Sequence, residues 1–164
     1  MRIGFGYDSH RFAEGRRLVL GGVEFPGEPG LEGHSDADAL LHAVIDALLG
    51  AAALGDIGSH FPDDDPKWRD ADSAMMLKAV VAELASAGFS IGNIDATVVC
   101  ERPKLSPKIG AIRERLADLL AIHVSAVSVK GKTNERMDAI GAGAGLAAYA
   151  VALVSAAKET AWEI

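Results

Sequence analysis

Gly145-Leu146-Ala147-Ala148-Tyr149-Ala150-Val151-Ala152-Leu153-Val154-Ser155-Ala156-Ala157, close to the end of the 164-residue chain, has the composition of a helix and the alternation of a strand. Its alanine content favours a helix. Its alternation favours a strand, because Ala147, Tyr149, Val151 and Leu153 interleave with Leu146, Ala148, Ala150 and Ala152. One face is bulky and the other mostly small, and we read a strand. The chain start behaves alike: Ile3, Phe5 and Tyr7 alternate with Gly4, Gly6, Asp8 and His10, the period-2 pattern of a strand. Between these ends, Leu18-Val19-Leu20, Gly21-Gly22 and Val23-Glu24-Phe25 predict a tight hairpin, and Pro26 to Gly33 a loop. A helix capped by Asp36 or Asp38 runs to about Leu54, with Leu41, Val44, Ile45 and Leu48 as its apolar stripe. Gly55 to Trp68 reads as a loop, and a second helix spans Asp72 or Ser73 to Gly88. Residues 94–101 and 126–130 read as strands, and Ser106-Pro107 opens a third helix. Strands and helices mix without regular βαβ alternation. The expected class is α+β, a sheet covered by helices on one face, with residues 1–164 as a single domain.

Composition narrows the function. No apolar run approaches the ~20 residues that span a bilayer, and the N-terminus lacks signal-peptide regions. With one cysteine, Cys100, neither an internal disulfide nor a cysteine zinc site can form. A cytoplasmic protein with no membrane partner is expected. The net charge of −7 argues against nucleic-acid binding, which needs a basic footprint. Residues 102–136 nevertheless carry eight Lys/Arg against three Asp/Glu, leaving the rest of the chain at −12. Lys104, Lys130, Lys132 and Arg136 flank loops there, whereas Arg113 and Arg115 read as a solvated helix face. An acidic protein with one basic segment suits metal cations and a small phosphorylated substrate.

The strand period puts Asp8 and His10 on one face, and Gly4 and Gly6 on that face leave it open. Asp38, His42 and Asp46 recur at four-residue spacing and are expected to share a polar helix face. An oxygen ligand, an imidazole and a third residue, His42, on the helix suit zinc and leave its fourth position free, as catalytic sites do. Asp46, one turn beyond His42, either orients that imidazole or is an exposed carboxylate.

Taken together, these segments resemble the 2-C-methyl-D-erythritol 2,4-cyclodiphosphate synthase family. The resemblance rests on Gly-Tyr-Asp-Ser-His at 6–10, Gly-His-Ser-Asp-Ala-Asp at 33–38 and Leu-Leu-His-Ala at 40–43. It continues through Ala-Leu-Gly-Asp-Ile-Gly at 53–58, Phe-Pro-Asp-Asp-Asp at 61–65, Arg-Pro-Lys at 102–104 and Lys-Thr-Asn-Glu at 132–135. The resemblance implies a compact α+β sandwich of a mixed β-sheet covered by helices, assembled as a homotrimer with active sites between subunits. It also implies conversion of 4-diphosphocytidyl-2-C-methyl-D-erythritol 2-phosphate into the cyclic diphosphate and CMP. Asp8, His10 and His42 are then ligands of Zn2+ or another divalent cation, and Glu135 a ligand of Mg2+ or Mn2+ at the diphosphate. His34 and Thr133 match positions that hold the phosphates and stabilise the transition state, Ser35 adds a hydroxyl donor, and Lys132 a cation.

Ser9, beside the two zinc ligands, and Asn134 and Ala139, near the Glu135 ligand, are also placed by the resemblance in the substrate-binding set. Asp56, Ile57 and Gly58, with Phe61, Pro62, Asp63, Asp64 and Asp65, match the segment that holds the methylerythritol part. Cys100, Glu101, Arg102, Pro103, Lys104, Leu105 and Ser106 match the cytidine pocket. One departure stands out: many members carry Gly-Arg-Gly-Glu-Gly where this chain reads Gly141-Ala142-Gly143-Ala144-Gly145. In such members the arginine can bind an isoprenoid diphosphate at the mouth of a central trimer cavity, and alanine supplies neither its charge nor its forked donors. Two other readings use the same residues, a metal-dependent phosphatase or nucleotide hydrolase and a trimeric small-ligand binding protein.

Overall fold

The computed structural model describes residues 1–62, 64–68 and 70–156. From Gly145 to Ala156 the stretch near the chain end is a strand, as its alternation predicted, at the centre of the sheet; Ala157 lies outside the described residues. β1 (Arg2–Ala13), β5 (Phe89–Val99), β6 (Val127–Lys132) and β7 (Gly145–Ala156) form one mixed sheet with the two-residue β4 (Gly30–Leu31). Their order is β4-β1-β7-β5-β6. β7 pairs antiparallel with both β1 and β5, while β5 and β6 run parallel. β2 (Val19–Leu20) and β3 (Val23–Glu24) make the expected hairpin across Gly21-Gly22.

Helices α1 (Ala39–Ala52), α3 (Ser73–Ser86) and α4 (Ile109–Leu120) form the second layer, with α1 across β1 and β7 and α4 against β6. Two short helices, α2 (Ile57–His60) and α5 (Asp138–Gly141), sit in segments not expected to be helical. α2 forms because Asp56 and Ser59 make a reciprocal capping box, a signal too short to show as periodicity. No helix of the described residues is long and apolar enough to cross a membrane.

At the middle of the β1–β7 pair the sheet inverts the usual distribution of bulk. Its helix-covered face is lined by Gly4, Gly6, Ala148, Ala150 and Ala152, all buried, so α1 lies almost directly on the backbone. A Cβ on Gly6 would stand 1.9 Å from the Ala43 carbonyl oxygen, and one on Gly4 1.9 Å from that of Ala47. The two glycines therefore do not open a space around Asp8 and His10; their face is filled by α1. That contact brings His42 down to β1. Gly6→Ala forces strand and helix apart, and overpacking of this kind costs about 1–3 kcal/mol or more. We expect a loss of about 3 kcal/mol in denaturant unfolding; wild-type stability would show that the two elements part freely.

The bulky side chains of the β1–β7 centre lie on the opposite, uncovered face, whereas Ile94, Val98 and Val154 fill the covered face farther out. Ile3, Phe5 and Tyr7 of β1 and Tyr149 and Val151 of β7 are all at least 38% exposed. Tyr149 contacts both Phe5 and Tyr7, with ring centroids 6.4 and 5.1 Å away.

Candidate metal centre and phosphate site

The position of His42 follows from how α1 begins. Asp38 is the N-cap, and its fully buried carboxylate accepts from the N–H groups of Gly21 (2.9 Å), Gly22 (2.7 Å) and Leu41 (3.1 Å). Burial pushes its carboxyl up to about 6 against the pull of those donors. Asp38 therefore does not share the polar face of His42: an N-cap is not helical, so the four-residue spacing breaks there. Asp46 is also diverted. It accepts the Ile57 N–H at 2.8 Å, tethering α2 to α1, and does not orient His42.

His42 Nδ1 and His10 Nε2 each lie 2.9 Å from Asp8 Oδ2. Each of the three residues turns one ligand atom to a common point, all within 4.8 Å of one another. The side chains are only 12–24% exposed. His10 Nδ1 meets the Glu32 carbonyl oxygen at 2.6 Å, a bond that needs the ring proton on Nδ1 and leaves an Nε2 lone pair. Nε2 is buried with no hydrogen-bond partner in spite of its closeness to Asp8. An orphaned imidazole nitrogen beside a carboxylate oxygen is the donor set a divalent cation satisfies. Burial raises the Asp8 carboxyl, but hydrogen bonds and charge from His10 and His42 outweigh it and hold the group well below the carboxylate range. Asp8 is thus poised as an anionic ligand.

The cleft in front of this cluster, about 210 Å3, is lined by Asp8, His10, His34, Ser35, His42, Asp46, Ile57, Gly58, Phe61 and Trp68, among others. Gly33 also lines it, and a Cβ there would press on the His10 ring at 3.3 Å. His34 Nε2 is buried without a partner, a second free polar atom at this end. Arg16, which the sequence reading passed over, donates to the Gly33 carbonyl oxygen at 2.9 Å and to that of Ser35, bracing the His34 turn.

A second cleft, about 220 Å3, is lined by Cys100, Glu101, Pro103, Lys104, Leu105, Ser106, Lys132 and Thr133, with Ile109 and Gly131. It shares no residue with the first. Burial, with Glu101 and Glu28 adding negative charge, pushes the Cys100 thiol up to about 11, so Cys100 lines this cleft as an inert thiol. Glu101 Oε1 accepts from the N–H groups of Asn134 (3.0 Å) and Arg136 (3.2 Å), pinning the loop in which Glu135 adopts φ +50°. In that loop Thr133 Oγ1 donates to Glu135 Oε1 at 2.6 Å.

A profile of the YgbB family matches residues 1–155. The chain belongs to that family. It is 57% identical over 155 residues to the 2-C-methyl-D-erythritol 2,4-cyclodiphosphate synthase of Symbiobacterium thermophilum, covering 94% of this chain and 99% of that one. A solved 2C-methyl-D-erythritol-2,4-cyclodiphosphate synthase in its CDP-bound form superposes with a TM-score of 0.86 at 38% identity, over 94% of this chain and all of that one. The bifunctional IspDF of Campylobacter jejuni superposes with a TM-score of 0.91 at 37% identity. That match covers 94% of this chain and 42% of the longer protein.

Within this family member the remaining candidates are dispersed. Ser9 alternates to the other face of β1 from Asp8 and His10, and with Ala139 it borders a second depression, which His10 also lines. The Asp56 carboxylate is committed to the Ser59 N–H at 2.8 Å. Asp65 accepts the Lys67 N–H at 2.9 Å, Asp64 is exposed, and Pro62 is half-buried. Asp63 lies outside the described residues. Arg102 lines neither of the two clefts and borders the neighbouring depressions instead. One chain therefore holds two separate clefts, one in front of Asp8, His10 and His42 and one lined from residues 100–106 and by Lys132 and Thr133.

Proposed function

We propose that this chain catalyses the cyclisation of 4-diphosphocytidyl-2-C-methyl-D-erythritol 2-phosphate to 2-C-methyl-D-erythritol 2,4-cyclodiphosphate, releasing CMP, in isoprenoid precursor synthesis. The observation that carries the reading is the Asp8–His10–His42 cluster, with its orphaned His10 nitrogen, in a chain that aligns over 94% of its length with such a synthase. The reaction is an intramolecular phosphoryl transfer of the phosphorus–oxygen lyase type. The 2-phosphate oxygen attacks the β-phosphorus, that P–O bond forms as the bond to the CMP oxygen breaks, and CMP leaves with the electron pair.

Such a transfer asks the protein for positioning and charge neutralisation. The attacking phosphate is already ionised near neutral pH, so no general base is needed. Asp8, His10 and His42 would hold a divalent cation, zinc in our reading, and Glu135 a second one, magnesium or manganese. A cation so bound withdraws charge from phosphate oxygens as a Lewis acid. His34 Nε2 and the Ser35 hydroxyl would meet the phosphates in the cleft in front of Asp8, His10 and His42. Ile57, Gly58 and Phe61 border the methylerythritol end, and residues 100–106 hold the cytidine. Lys132, Thr133 and Asn134 bring one cation and two polar side chains to the diphosphate.

The experiment is incubation of purified protein with the cytidine-linked substrate. CMP and cyclic diphosphate should appear, and a chelator should stop both. Release of inorganic phosphate in their place would establish a phosphatase instead.

A single cleft of about 210 Å3 is below the usual range for a ligand of this size. The separation of the two clefts and the uncovered Phe5, Tyr7 and Tyr149 face support a homotrimer with each site completed by a neighbour. Light scattering should return three chains of 17.1 kDa; a fully active monomer would contradict it. In that trimer Ala142 and Ala144, both exposed here, stand where other members place an arginine and a glutamate. Calorimetric titration of geranyl diphosphate is expected to show no tight binding. One tightly bound ligand per trimer would mean another cation serves the cavity.

A further inference from the structure

His42 presents Nδ1 towards Asp8, so its ring proton must reside on Nε2 for Nδ1 to offer a lone pair. Nε2 lies 2.8 Å from Ser73 Oγ and, less closely, 3.3 Å from Ser35 Oγ. The Ser35 hydroxyl already accepts the Ala37 N–H at 3.1 Å. Ser73, the first residue of α3 and fully buried, has its own proton committed, since its hydroxyl donates to Asp36 Oδ1. Its N–H donates to Asp36 Oδ2 at 3.2 Å, so the carboxylate grips the serine from two sides. A carboxylate only accepts. With its proton spent on Asp36, Ser73 Oγ has only lone pairs to turn towards His42, and the imidazole must be the donor.

We propose that Ser73 and Asp36 are positioning residues for the metal centre. They form a hydroxyl–carboxylate relay that fixes the tautomer and ring orientation of His42 and thereby sets the affinity for zinc. The Glu32 carbonyl does the same for His10, so each imidazole has its own orienting acceptor. The relay also ties the start of α3 to the first turn of the ligand-bearing helix, which contact within α1 alone cannot do. The proposal rests on the reading of Asp8, His10 and His42 as the zinc ligands.

The test measures zinc affinity by competition with a chromophoric chelator. It also follows thermal unfolding of the metal-free protein and the imidazole 15N–1H spectrum of the zinc-loaded protein. Ser73→Ala should weaken zinc binding about 10–100-fold, the usual effect of losing such an orienting partner. The protected His42 Nε2–H signal should disappear with it. Asp36→Asn should weaken zinc binding by less, because an amide oxygen can still accept from Ser73. A residue that merely stitches α3 to its neighbouring loop would lower the metal-free unfolding midpoint and leave zinc affinity and the Nε2–H signal unchanged. That result in Ser73→Ala overturns the relay. Should Ser73→Ala fail to fold, wild-type zinc affinity in Asp36→Asn overturns it. If the wild-type protein itself binds no zinc, the ligand assignment fails and the relay with it.

Discussion

His42→Ala protein, purified without added zinc, is expected to carry no zinc and to release CMP at least about a thousandfold more slowly than wild type. Asp8, His10 and His42 are the only cluster of metal-ligating side chains among the described residues. Removing one leaves a carboxylate and a single imidazole, too few donors to hold zinc tightly. The rate follows from what a Lewis-acidic cation contributes to two anions forced together, several kcal/mol at about 1.4 kcal/mol per tenfold. Alanine is the strongest helix former, so α1 should persist and the loss should be chemical. Metal analysis and CMP release on the same preparation check both halves. Full activity in the variant would remove the zinc assignment.

Glu135→Gln separates the second cation from the first. Glutamine keeps the size of the side chain and an oxygen to accept from Thr133, whose hydroxyl donates to Glu135 at 2.6 Å. Only the negative charge is lost. Zinc content and unfolding midpoint should remain those of wild type, while turnover falls about a hundredfold or more, with partial recovery in excess magnesium or manganese. Wild-type kinetics at low magnesium would make Glu135 a solvated acid on a loop. Glu101 sharpens the expectation, because its grip on Asn134 and Arg136 holds Glu135 in its left-handed conformation.

Periodicity alone carried much of this molecule. Alternation in 145–157 and 3–10 predicted the two strands that pair along the middle of the sheet, and the stripe of Leu41, Val44, Ile45 and Leu48 predicted the helix above them. The Asp-x-His strand and the histidine on a helix led to the metal cluster, and the ordered motifs led to the family. These signals are local, repeated every two or every three to four residues, and do not depend on what packs where.

The tertiary structure decided the rest. Gly4 and Gly6 looked like open space, but they are where α1 rests, a contact between segments about 40 residues apart. Asp46 has the right spacing to support His42, yet the Ile57 N–H takes its carboxylate, and Asp38 is spent on capping α1 and clamping the β2–β3 turn. The hydroxyl that does reach His42 belongs to Ser73, 31 residues along the chain at the start of a different helix. No spacing rule joins Ser73 to His42 or Arg16 to the His34 turn, because long-range hydrogen bonds are set by how elements dock. A polar side chain goes to whichever unsatisfied group the packed fold places within about 3 Å.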